Sequence, residues 1–309
     1  MTAPADVVLI TRFNLPSVGL EEYIRAEDGW LNDRVRLFER FCLPSVRAQS
    51  VSEFHWLVYF DPQSPQWLRD RIHRWQDVVT PVYRAEVDAA GLLADLRRVS
   101  GATAPRLITA NLDNDDALAS DFVARLCAVE PAAAPCVIYL VSGLVLAGNL
   151  TYLRRDPVNA FCAVSTTWDA PATCWAGPHN TLGRIMPVQR VGGGPAWLQV
   201  VHGRNVSNRV RGKLVSPDPF RARFPGALDD ARVPGLSQVI RDRLLFRPAR
   251  EVRDGCRAGM RRGLVWALGQ AKYDRLKAVG GRALLGRRAR SAAQGGPSDV
   301  HDAHTTARR

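Results

Sequence analysis

The sequence predicts an α/β protein built on a mostly parallel, Rossmann-like central sheet flanked by helices. Three observations predict it. Short apolar, β-branched runs alternate with helical stretches four times. The run FHWLVYF, residues 54 to 60, is apolar almost throughout, as in a strand covered on both faces. Polar residues collect where these runs end, and in doubly wound sheets ligands bind beyond the carboxyl ends of the strands.

VVLIT, residues 7 to 11, reads as a buried first strand ended by Arg12-Phe13-Asn14-Leu15-Pro16. From Leu31, the positions Leu31, Val35, Phe38 and Cys42 follow helical spacing, and Arg34, Arg36, Glu39 and Arg40 fill the other faces. Pro44 lacks a backbone donor, so this helix is expected to kink or restart there before ending near Gln49. The second strand stops at Asp61-Pro62. A helix carrying Trp67, Leu68, Ile72 and Trp75 follows, then a strand around Val78 to Tyr83 and a helix around Ala89 to Val99. Arg106 to Leu112 form a strand that runs into Asp113-Asn114-Asp115-Asp116. Asp115 or Asp116 is expected to cap a helix over Ala117 to Val129. CVIYLV and LVLAG flank Ser142-Gly143 and suggest a hairpin. Residues 159 to 200 are loop-rich, and beyond Pro234 the chain reads as helical and arginine-rich. The expected organisation is a catalytic domain over 1–235, a basic helical extension over 236–290 and a disordered tail over 291–309.

A chain of 309 residues suits one large domain or two unequal ones. The net charge of +12 is concentrated: residues 241 to 290 hold 15 Lys or Arg against four acids, residues 291 to 309 balance, and residues 1 to 240 are left with about +1. A nucleic-acid groove would charge the folded domain itself, so nucleic acid is not an expected partner. The longest apolar run, Cys136 to Ala147, falls short of the ~20 residues a bilayer requires. The N-terminus lacks the basic start and cleavage site of a signal peptide, which predicts a cytoplasmic protein. Six scattered cysteines without a C-x-x-C pair read as small buried hydrophobes.

Asp113 and Asp115 stand two apart at a strand end. If the strand unwinds there, both carboxylates can face one cavity and offer hard oxygen ligands to Mg²⁺ or Mn²⁺ bridging a diphosphate. The alternative is an acidic turn that only caps the next helix. A Mg²⁺-dependent phosphohydrolase also uses paired aspartates, but the haloacid-dehalogenase kind places them after the first strand and before Gly-Thr, unlike this pair. In WLQVVHGRNVSN, residues 197 to 208, an apolar run delivers His202 into Gly203, Arg204, Asn205, Ser207 and Asn208. A neutral imidazole is a metal ligand, and Arg204 with the asparagines can hold phosphate oxygens. His202 is otherwise a structural residue after a strand.

TRFNLP at 11–16, FERFCLPSVRAQ at 38–49, FHWLVYFD at 54–61, ITANLDNDDALASDFV at 108–123 and AWLQVVHGRNVSN at 196–208 together resemble the rhamnosyltransferase family, within the inverting A-type glycosyltransferases. The resemblance spans about residues 7 to 210 and leaves out the basic C-terminal region. It implies transfer of a sugar, rhamnose or another, from a nucleotide diphosphate to a glycan or lipid-linked acceptor, with Mn²⁺ or Mg²⁺. Asp113 and Asp115 would hold the metal with His202 as third ligand, about 4 to 6 Å separating ligand atoms. Thr11 and Arg12 would sit on the first nucleotide-contacting loop and Asp61 where related enzymes contact the base. Asn111, Arg204 and Asn205 would complete the donor site. An inverting enzyme needs a base for the acceptor hydroxyl; Asp169, beside Trp168, is the candidate and His179 its rival. Trp168, Trp175 and Trp197 would stack sugar rings or pack the core.

The apolar residues of 241–290 are interleaved with arginines at spacings that permit basic amphipathic helices. Two readings stay open: a peripheral anchor on the anionic inner membrane face, or a solvated layer packed on the catalytic domain.

Overall fold

The apolar run after Pro4 makes the first element. In the computed structural model, which describes residues 4–16, 29–130, 134–202 and 209–268, β1 spans Ala5–Arg12. Strands β2 (His55–Phe60), β3 (Thr80–Tyr83) and β4 (Arg106–Asn111) join it, all parallel, with Ile10 level with Leu57 and Asn111. Alternation along β1 divides the core: Val7 and Leu9 join the cluster of Phe38, Trp56 and Trp75 on one face, Val8 and Ile10 that of Tyr59, Leu92 and Leu96 on the other. Both faces are therefore covered, as the apolar runs required.

The connecting helices follow the predicted order. Helix α1 (Trp30–Leu37) passes through a π turn at Phe38–Cys42 into α2 (Leu43–Arg47), so the restart at Pro44 takes the form of a widened turn just before it. Helix α3 spans Gln66–His73 and α4 Ala89–Ser100. Asp88 caps α4 by accepting from the Gly91 N–H, and Gly101 ends it at φ +72°, a left-handed conformation that suits glycine.

Beyond the acidic turn the chain departs from expectation. Ala117–Leu118 form a short strand, β5, not the start of a helix, and α5 covers only Phe122–Cys127. The remaining strands are β6 (Cys136–Leu140), β7 (Ser142–Ala147), β8 (Leu150–Arg155), β9 (Ala163–Thr167), β10 (Val188–Val191), β11 (Trp197–Val201) and β12 (Lys213–Val215). Two sheets result, ordered β10-β6-β9-β4-β1-β2-β3 and β12-β8-β7-β11-β5. The predicted hairpin across Ser142-Gly143 is absent, because β6 belongs to the first sheet and β7 to the second, joined only by Val141; β7 pairs instead with β8. A Cβ on Gly143 would lie 2.0 Å from the Trp197 ring, so this crossing admits no side chain. In the first sheet β9 runs antiparallel between β4 and β6.

Residues 236–268 are helical: α6 (Leu236–Arg241), a second π turn at Asp242–Phe246, and α7 (Arg247–Leu268) form one run, and the rest of the expected extension, 269–290, lies outside the described residues. No described helix is long and apolar enough to cross a membrane. All six cysteines are free, and Cys256 differs from the expected pattern by standing exposed. The predicted tail over 291–309 lies outside the described residues.

Candidate active site at the carboxyl edge of the sheet

The acidic turn is stitched to the end of β1. Leu112 donates its N–H to the Ile10 carbonyl, the Thr11 hydroxyl donates to the Leu112 carbonyl at 2.7 Å, and Asn114 Nδ2 donates to the carbonyls of Arg12 and Phe13 at 2.7 and 2.8 Å. These bonds fix where the four residues Asp113 to Asp116 point.

Asp113 opens to solvent, while Asp115 and Asp116 are buried. Asp115 Oδ2 lies 2.9 Å from His202 Nε2 and 3.1 Å from Arg34 Nη1. Arg34, on α1, also donates to Asn114 Oδ1 at 2.6 Å. Burial would raise the Asp115 carboxyl, but the His202 hydrogen bond and the Arg34 guanidinium outweigh it and hold it below the usual range. Asp116 accepts from the Val200 N–H at 2.8 Å through Oδ1, and its Oδ2, also buried, has no hydrogen-bond partner among the described residues. Its burial, with Asp115 and Asp113 nearby, drives its carboxyl well up. Crowding by neighbouring atoms and then the Asp115 charge push Asp113 up to about 6, although Asn111 Nδ2 donates to it at 3.2 Å. Among the described residues, Arg34 and His202 face Asp115, and no cationic side chain forms an ion pair with Asp113 or Asp116.

A hard cation would relieve the mutual repulsion of these carboxyls, and carboxylate oxygens with an imidazole nitrogen suit Mg²⁺ or Mn²⁺. His202 touches Asp115 directly at 2.9 Å, below the 4 to 6 Å expected from the sequence but close to the roughly 3 Å that separates adjacent ligand atoms on one ion with ~2.1 Å bonds. Among the described residues, no three His, Cys, Asp or Glu side chains are disposed as a metal-binding group.

Beside the turn stands Trp175. Its Nε1 donates to Asn111 Oδ1 at 2.8 Å, and the Arg12 guanidinium lies 4.3 Å from its ring centre. Asn111 therefore links the Arg12–Trp175 pair to Asp113 and also holds the Ala160 carbonyl. Asp61, at the end of neighbouring β2, uses Oδ1 to accept from the Gln63 N–H and shapes its own turn.

Two sequence expectations are corrected by this geometry. Thr11 is fully buried: it donates to Leu112 and accepts from Trp56 Nε1 at 2.9 Å, so it braces the turn and cannot touch a ligand. Asp169 is at the wrong edge. Strand β9 runs antiparallel to β4 and its last residue, Thr167, pairs with Arg106, the first of β4, so Asp169 follows at the amino edge, roughly a strand's length of ~20 Å from Asp113. Trp168 goes with it, donating Nε1 to Asp6 at 2.9 Å, and buried Trp197 stacks on Phe161 in the core. The rival base, His179, belongs to the carboxyl edge: Tyr139 of β6, one residue past Ile138, donates its hydroxyl to the His179 carbonyl, and Ile138 is level with Ala110 through Ala163. Crowding lowers the His179 imidazole below its ordinary value. Arg204 and Asn205 lie outside the described residues.

Sequence reasoning missed Arg34, which it placed on an outer helical face. Its spacing on α1 carried no signal of a long-range acidic partner. A separate cavity of about 420 Å³ at the amino edge, between Trp56, Val79 and the Arg47–Asp77 ion pair, is bordered by none of the expected site residues.

The chain matches the family model described as "Putative rhamnosyl transferase" over residues 6–214. No curated protein sequence matches it. Among solved structures, residues 1–349 of S. aureus TarS in complex with UDP align at 13% identity and a TM-score of 0.37, covering 70% of this chain and 62% of that one. The inositol-1-phosphate CTP transferase of T. maritima aligns at 11% identity and 0.35, covering 67% and 94%. Scores this low establish neither a shared ligand nor a shared activity. The family match takes in the acidic turn, His202 and both sheets but for the first residue of β1 and the last of β12, and on it the chain belongs to the rhamnosyl transferase family and is a glycosyltransferase.

Proposed function

We propose that this glycosyltransferase moves a sugar, rhamnose or another, from a nucleoside-diphosphate donor to a glycan or lipid-linked acceptor with inversion, using Mn²⁺ or Mg²⁺. The observation that carries the reading is the acidic turn at the carboxyl edge, linked through Asn111 to the Arg12–Trp175 pair, in which Asp113 and Asp116 are pushed up without a cationic partner among the described residues. Asp113, Asp115 and His202 would hold the ion, which when bound supplies Lewis-acid stabilisation of charge on the leaving diphosphate. Arg34 orients Asp115 and keeps it ionised. Arg12, lying over Trp175, would present donors to a phosphate. Arg204 and Asn205 are assigned to the donor phosphates and Asp61 to the nucleoside side. His179 replaces Asp169 as the group that takes the acceptor proton: an imidazole held below its ordinary value is neutral at neutral pH and can accept.

A panel of sugar nucleotides, scored for release of nucleoside diphosphate with Mn²⁺ and in excess chelator, tests this. Release from one donor that chelator abolishes is the expected result, with the anomeric configuration of the product inverted by NMR. Release indifferent to chelator overturns the metal assignment, and no release from any donor with any acceptor overturns the transfer.

A further inference from the structure

A helix docked on a domain ordinarily buries its leucines and exposes its charges. Over its described side chains, residues 236–256, the run does the reverse. Its inward side is held by polar groups: Asp242 accepts from the Leu214 N–H and from Arg250 Nη2 at 3.0 and 2.7 Å, Arg250 covers the Tyr152 ring at 5.3 Å, and Arg211 pairs with Asp254 at 2.9 Å. Val239 is the apolar residue of this run that joins the packed cluster beneath. Leu236, Ile240, Leu244, Leu245, Phe246 and Val252 stand exposed, Leu244 and Leu245 at 69% and 63%. Eight of the eleven exposed large apolar side chains among the described residues fall between Val233 and Met260, so this is one concentrated patch and not the usual scatter.

The charges around the patch select its partner. Arg241, Arg243, Arg247 and Arg253 are exposed beside it, whereas Asp242 is buried and Glu251 is paired with Arg247. A nucleic acid would complement the arginines and leave the leucines and Phe246 without a role. A second copy across a two-fold axis would set one arginine row against the other. An anionic bilayer satisfies both sets at once.

We propose that the outward face of residues 236–260 docks on an anionic membrane surface, its leucines and Phe246 entering the acyl boundary and its arginines meeting lipid phosphates. Apolar depth and basic charge add in such binding. The inference is independent of the donor and metal assignments, because it is read by binding and not by turnover.

The full-length chain is sedimented with phosphatidylcholine vesicles containing roughly one-third phosphatidylglycerol, and with phosphatidylcholine alone. Retention on the anionic vesicles, weakened by salt, is the expected result. Leu244→Ser/Leu245→Ser/Phe246→Ser, all at exposed positions, should keep the melting temperature and bind at least ~tenfold more weakly. Arg241→Gln/Arg243→Gln should bind about thirtyfold more weakly, with a flatter salt dependence. A wild-type chain that stays in solution with both vesicle types overturns the proposal, as does a triple variant that binds like wild type. Dimers that the triple variant splits, without vesicle binding by the wild type, overturn it in favour of a self-interface.

Discussion

The two edges of the central sheet carry the same residue types in nearly the same contacts. At the amino edge Arg97 covers Trp168 at 4.8 Å, Trp168 donates to Asp6, and Asp6 also accepts from Thr103 and the Ala104 N–H. At the carboxyl edge Arg12 covers Trp175, Trp175 donates to Asn111, and Asn111 donates to Asp113. The amino-edge carboxylate has each oxygen occupied by donors. At the other edge a carboxyl is pushed up to about 6 and a buried carboxylate oxygen has no partner among the described residues. An arginine, a tryptophan and an acid are therefore not a site by composition; carboxyls pushed up without a cationic partner among the described residues distinguish the candidate edge from the structural one.

Substitution should separate the edges cleanly. Asp113→Asn/Asp115→Asn is expected to keep the circular-dichroism spectrum and lose at least ~100-fold in turnover, about 2.7 kcal/mol of transition-state stabilisation. Wild-type turnover of the double variant in excess chelator would abolish the distinction.

At the amino edge the loss should appear in stability. Asp6→Ala strands the Trp168 indole N–H, the Thr103 hydroxyl and the Ala104 N–H, at a cost of about 1–3 kcal/mol in urea unfolding. Turnover of the folded fraction should stay near wild type, and a specific loss of turnover would make this edge functional after all.

The smallest effect has the opposite sign. The Asp113 carboxyl, at about 6, lies above its ordinary 3.8, so the folded chain binds this proton more tightly than the unfolded chain. Ionising it therefore costs stability, fully above about pH 6 and not at all once the pH is below both values. Because Asp113 opens to solvent, screening holds the effect to about 1 kcal/mol or less; in chelator at pH 7, Asp113→Asn should melt at most about 2–4 °C higher than wild type, with the difference closing below about pH 4. A lower melting temperature at pH 7 would mean that the turn is electrostatically satisfied.

The parallel half of the fold was legible because VVLIT and FHWLVYF are buried on both faces and end in polar residues, which local pattern reports well. What lies past Asn111 was not. Ala117 and Leu118 have helical propensity, yet Leu118 pairs with Trp197, and Asp116 gives its carboxylate to Val200 instead of a cap. An apolar run cannot reveal that Val141 switches sheets. The reversal of β9 is likewise set by its partners, and it carried Asp169 to the opposite edge. The resemblance placed Asp115 and His202 in one site, and the two side chains stand 2.9 Å apart. Arg34 was hidden because a surface arginine and one aimed at a carboxylate 81 positions away look alike in sequence.

The π turn at Phe38–Cys42 sets the rotational phase of everything before it. It holds one residue more than an α turn would, so Trp30–Leu37 is indexed about 100° away from the register a straight helix through Leu43 would impose. Arg34 reaches Asp115 only in that phase. The bulge thus behaves like a tooth skipped in a gear: a single-residue deletion there would leave a good helix that delivers its guanidinium to the wrong side.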